Sequence, residues 1–136
     1  MIVGVHIIEF FVRRGCCVVS SPRNVHCDGE PFTWAFLIAR SDVVGGENLI
    51  ATVDSCGKNP GELQSEDILA RFTLESPLDG WVVDDLRVSH YVSPVTTAPD
   101  AAFGRRTMLL IDFRVPDRGS VNPTPLGGMG SRGISA

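Results

Sequence analysis

A side-chain alternation with a period of two governs this sequence. From Phe32 to Ala39 the chain reads Phe-Thr-Trp-Ala-Phe-Leu-Ile-Ala. On an extended backbone Phe32, Trp34, Phe36 and Ile38 then share one face, and small or aliphatic residues share the other. A helix cannot segregate residues this way, because its successive side chains turn by about 100°. The signal returns in residues 49–54, where Leu49, Ala51 and Val53 alternate with Ile50 and Thr52. It returns again in residues 68–75, with Ile68, Ala70, Phe72 and Leu74 on one face, and in residues 107–115, with Thr107, Leu109, Ile111, Phe113 and Val115 aligned.

Other segments fit the same frame. Residues 2–12 are crowded with β-branched and aromatic side chains and lack a capping residue, which predicts a central strand apolar on both faces. Arg13-Arg14-Gly15 suits a reversal into a short strand over residues 16–20. Ser76-Pro77-Leu78-Asp79-Gly80 carries turn chemistry, and Trp81-Val82-Val83 resumes the extended pattern, so residues 68–92 read as a hairpin with a bulge at Asp84-Asp85. Residues 21–31, 55–66 and 93–104 are loops rich in Gly, Pro and Asn. Short strands joined by turns, with almost no helical periodicity, predict a mainly β fold: a small antiparallel sandwich or barrel of about six to eight short strands with an extended C-terminal tail. The expected core is Trp34, Phe36, Ile38, Phe72, Trp81, Leu109, Ile111 and Phe113.

The pattern stops at Pro116, and eight of the last 21 residues are Gly or Pro. The chain therefore divides into a β-rich globular domain, residues 1–115, and a Gly/Pro-rich extended C-terminal arm, residues 116–136. Only Val121, Leu126, Met129 and Ile134 could anchor such an arm, and they are its expected partner-binding residues.

Composition excludes several classes. With 43% apolar and 21% charged residues the chain is too apolar for a disordered polymer, yet no run is long enough to span a bilayer. A net charge of −4 and basic clusters no larger than Arg13-Arg14 and Arg105-Arg106 argue against nucleic acid as the main partner. His6 and Glu9 interrupt the first apolar stretch, so no signal peptide is expected. Cys16, Cys17, Cys27 and Cys56 follow no disulfide framework, which suits reduced thiols in a cytoplasmic or virion setting.

Candidate chemistry is sparse. Zinc would draw on His26, Cys27, Cys16, Cys17 and Cys56, but none of the usual paired spacings occurs, and neighbours on an extended chain point opposite ways. Cys27 or Cys56 could act as a nucleophile beside His26 or His90, without any local signature for it. Gly57-Lys58 lacks the remainder of a phosphate-binding loop. Asp84, Asp85, His90 and Tyr91 form the best acid–base set, whereas Glu9 and Asp112 fit outward-facing charges. No catalytic residue, metal or cofactor is therefore expected. The sequence reads as a non-enzymatic structural subunit of a homo-oligomeric assembly, with a bacteriophage virion protein (tail, neck or capsid-associated) as the concrete expectation. The alternative is a small β-barrel enzyme of cyclase, isomerase or hydrolase type using Asp84, Asp85, His90 or Tyr91 in a cavity.

Overall fold

The structure, a computed structural model, describes residues 1–116. The expected arm and its anchors Val121, Leu126, Met129 and Ile134 lie outside the described residues. Ten strands form in chain order: β1 (Ile2–Arg13), β2 (Cys17–Val18), β3 (Phe32–Ser41), β4 (Val43–Gly45), β5 (Glu47–Thr52), β6 (Ile68–Thr73), β7 (Gly80–Val83), β8 (Val88–Val92), β9 (Val95–Thr97) and β10 (Phe103–Arg114). The only helical elements among the described residues are short 3-10 turns at Val53–Ser55, Pro60–Glu62 and Ser65–Asp67. The protein is mainly β, and every strand pairing is antiparallel, as the alternation requires. No helix in the described part is long and apolar enough to cross a membrane.

The strands form three sheets: a large one in the order β1-β10-β3-β7, a second in the order β6-β5-β8, and a small β2-β9-β4 sheet. β1 is an edge strand, not a central one, and the long β10 takes the central place beside it. Residues 68–92 do not make a hairpin either. β6 pairs with β5 and β7 with β3, so these two strands belong to different sheets. Asp84-Asp85 begins the turn into β8 and is no bulge.

The core uses the face opposite to the aromatic stripe. Ala35, Leu37, Leu74 and Met108 are buried between the large sheet and the β6-β5-β8 sheet, with Phe10, Phe72, Trp81 and Leu110 packed against them. Trp34 and Ile38 are 37% and 38% exposed on the outer face, and Val5 and Ile7 of β1 are more exposed still. Of the eight expected core residues none is fully buried; Phe72 and Trp81 pack against the core, while the stripe on β3 and β10 turns outward, because both faces of these strands are apolar and alternation alone cannot say which turns inward. On the outer side of β5, Val25, Leu49 and Ala51 form another buried cluster, which Leu63, Ile68 and Tyr91 cover. The long loop of residues 55–66 thus closes the far side of that sheet. It also grips the residues before His26: Val25 N–H donates to the Lys58 carbonyl at 3.0 Å, and Gly57 N–H donates to the Val25 carbonyl at 2.7 Å.

Candidate functional site

With Val25 held, His26 forms an isolated antiparallel bridge to His90 in β8. Each backbone N–H donates to the other's carbonyl at 2.9 Å. Residues paired in this way project side chains to the same face, so the imidazoles meet with ring centroids 4.2 Å apart. Asp28 stands two residues after His26, on the same side of an extended segment, whereas Cys27 points away and lies 3.6 Å from the Val88 carbonyl. His26 Nε2 is 3.8 Å from Asp28 Oδ1, and His90 Nε2 is 3.4 Å from Asp28 Oδ2. One ligand atom from each of His26, Asp28 and His90 can be chosen so that all lie within 4.8 Å of one another.

The remaining ring nitrogens are held from behind. His26 Nδ1 is 3.3 Å from the Asn24 carbonyl, which favours Nδ1–H and leaves Nε2 with its lone pair. His90 Nδ1 faces buried Asp85. Burial, followed by the nearby His90, lowers the His26 pKa from its ordinary value. The Asp28 pKa is lowered chiefly by His90, against the opposing effect of burial. At neutral pH the cluster therefore offers a neutral imidazole from His26 and an ionised carboxylate, the protonation states a metal needs.

These three residues line a cavity of about 250 Å³ between the two larger sheets. Apolar walls come from Ile8, Phe10, Ala35, Val92, Met108 and Leu110. Trp81 lies with its ring 5.6 Å from that of His90 and is fixed by an Nε1–H bond to Asn48 Oδ1 at 2.9 Å. The same cavity holds Arg106 of β10, which is 2% exposed. Burial, and then Arg40, lower its pKa to about 10, so it remains a cation at neutral pH. Arg106 forms no salt bridge among the described residues, and its buried Nε has no hydrogen-bond partner. Arg40 differs, since it donates to the carbonyls of Leu74, Val43 and Gly45 and serves the fold. Gly46 lets the Arg106 guanidinium in, because a Cβ there would sit 3.2 Å from its Cζ and Nε.

The sequence-expected acid–base set divides. His90 and Asp85 come to the site. Asp84 instead accepts the Leu86 N–H in its turn at 3.1 Å, and Tyr91 points to the opposite face into the Val25 cluster. Glu9 pairs with Arg105 on the surface as expected, at 3.4 Å. Asp112 was expected to face outward but turns inward beneath Gly4, beside His6 and Arg114. Cys27 points away from the cluster, and burial, followed by its neighbour Cys56, pushes its thiol up to about 12, which disfavours the thiolate a nucleophile needs. The expectation of no metal and no cofactor does not hold as a reading of the residues, because Cys and His spacings leave out Asp28, which completes the cluster. The signal that would have found the site is His-x-Asp, with its two-residue spacing, together with a distant second histidine.

Two histidines and one carboxylate gathered on one side of a cavity are the ligand set of mononuclear non-haem iron oxygenases. Arg106 adds a buried cation to the same cavity. The comparisons agree with this class. Residues 1–112 match the family model described as 2OG-Fe dioxygenase, and the chain belongs to that family. It is similar to the crystal structure of IDO from Bacillus thuringiensis, with a TM-score of 0.68 and 27% identity over 85% of this chain and 45% of that one. A bsmA homolog from Methylobium petroleophilum PM1 gives a TM-score of 0.64 and 26% identity over 82% and 40%. The Fe(II)/α-ketoglutarate-dependent dioxygenase TqaL, 16% identical with a TM-score of 0.71 over 89% and 45%, shares the fold. The chain spans less than half the length of each of these structures. Among curated protein sequences none matches it significantly. Membership of this family overturns the expected bacteriophage virion subunit, and the enzyme alternative is the better supported of the two.

Proposed function

We propose that this chain carries the metal and co-substrate site of an iron- and 2-oxoglutarate-dependent oxygenase acting on a small organic substrate. The observation that carries this reading is the convergence of His26, Asp28 and His90 on one side of a cavity that also contains Arg106, a buried cation with no salt bridge among the described residues. The donor set fits ferrous iron, being two imidazoles and a carboxylate without thiolate. Bound iron would supply dioxygen activation, coupled to oxidation of 2-oxoglutarate.

The protein's own residues have separate tasks in this reading. His26, Asp28 and His90 hold the metal. Arg106 holds a carboxylate of 2-oxoglutarate through a charge-assisted pair, which also relieves the cost of its buried charge. Phe10, Met108 and Leu110 exclude water from the cavity, and Trp81 limits its width beside His90. A volume of about 250 Å³ lies just below the usual range of ligand pockets, roughly 300–1,000 Å³. That suits a small acid such as 2-oxoglutarate.

The test is to incubate the chain with Fe(II), 2-oxoglutarate and oxygen, alone and with a panel of small metabolites, and to measure succinate. Metal-dependent succinate formation that vanishes in Asp28→Ala supports the reading. Absence of both metal binding and 2-oxoglutarate binding overturns it.

A further inference from the structure

Asp85 is the one fully buried carboxylate among the described residues, at 1% exposure, and the tasks above leave it unused. It sits in the turn between β7 and β8, and no Lys or Arg within the described part pairs with it. Its two oxygens reach the two separate arms of the metal cluster. Oδ2 accepts the Gly29 N–H at 2.6 Å, directly after Asp28. Oδ1 lies 3.1 Å from His90 Nδ1. These last two atoms do not form a hydrogen bond, yet both are shut off from water and neither bonds elsewhere among the described residues. Each is thus the partner the other has at hand. Gly29 takes φ +77°, a left-handed conformation that aims its N–H at the carboxylate and that other residues adopt at a cost.

We infer that Asp85 is a positioning residue for the metal centre, using one carboxylate to set both arms. Facing Nδ1, it selects the His90 tautomer with the proton on Nδ1 and leaves Nε2 for the metal. Holding Gly29, it fixes the turn that orients Asp28. Asp84 cannot substitute, since its carboxylate caps the turn at Leu86. The inference rests on the reading that His26, Asp28 and His90 bind a metal.

The experiment titrates the full chain with Co(II) alone, without oxygen, following its visible absorption bands. Wild type, His90→Ala, Asp85→Asn and Asp85→Ala are compared, with circular dichroism and metal-free thermal unfolding of each. Wild type should bind, and His90→Ala should not. The Asp85 variants should bind roughly 10–100-fold more weakly, with displaced bands, as expected when a ligand's outer partner is lost. Asp85→Asn keeps the size and an acceptor for Gly29, so it carries the test if Asp85→Ala fails to fold. Wild-type affinity and band positions in Asp85→Asn would overturn the positioning role while leaving the metal reading intact. Failure of wild type to bind Co(II) would overturn both.

Discussion

The backbones of His26 and His90 exchange both of their hydrogen bonds, so two histidines far apart in sequence become directly opposed neighbours. Asp28 joins them through a spacing of two. Nothing else in the site depends so directly on backbone pairing, and the first prediction follows from it. Anaerobic Fe(II) or Co(II) at about 100 times its dissociation constant should stabilise the protein by about 2.7 kcal/mol in denaturant unfolding. Chelator should remove the gain, and His26→Ala should abolish it while retaining the fold. A metal-independent midpoint in wild type would contradict the site.

Acid should weaken the apo protein in two stages. The folded-state pKa of His26 lies below its unfolded value of 6.5, so the unfolded chain takes the proton first. Stability is complete above 6.5 and falls as pH drops below it toward the folded pKa. Asp28 follows the same sign, with its contribution present above 3.8 and lost as pH falls through its lowered folded pKa. Urea unfolding between pH 7.5 and 5 should show the first decline, and His26→Gln should flatten it. An unchanged slope in that variant would place the decline elsewhere.

Arg106→Met should separate ligand binding from folding. Removing a buried cation that forms no salt bridge among the described residues should leave stability unchanged or raised, because no charged partner there is stranded. Affinity for 2-oxoglutarate, measured by calorimetry with metal and without oxygen, should fall by about 10–100-fold, the worth of a charge-assisted hydrogen bond. A loss of stability beyond about 2 kcal/mol would make Arg106 a structural residue.

Leu37→Ala should cost about 2–5 kcal/mol, since Leu37 is wholly buried between the sheets. Trp34→Ala should cost less, because Trp34 is 37% exposed on the outer face, where its ring stands edge-on to Phe36 and tilted to Phe113. Denaturant unfolding of the pair checks the order, and its reversal would put the aromatic stripe in the core.

Strand positions were the legible part of this sequence. Alternation located β3, β5, β6 and β10 to within a few residues, because a two-residue period is imprinted by the backbone itself. Facing and partners were not legible. β3 has Trp34 and Phe36 on one side and Ala35 and Leu37 on the other, and hydrophobicity ranks the bulkier side first. The structure buries the smaller side, where a second sheet must approach closely. β4 and β9, three residues each, are too short for a period to register. At the site, a lone Asp two residues after a His is a weak signal beside four cysteines, and His90 cannot be joined to His26 without the bridge. Asp85 was seen within an acid–base set, but its burial comes from the fold.

The cavity lies between two sheets that carry different parts of the site. His90 hangs from β8 in one, and Arg106 from β10 in the other. On the proposed reading, a molecule held at one end by the metal and at the other by Arg106 would be a rivet through both layers. Loading the site should slow amide exchange in β5 and β10 together, though these strands share no hydrogen bond, and emptying it should let the layers breathe independently.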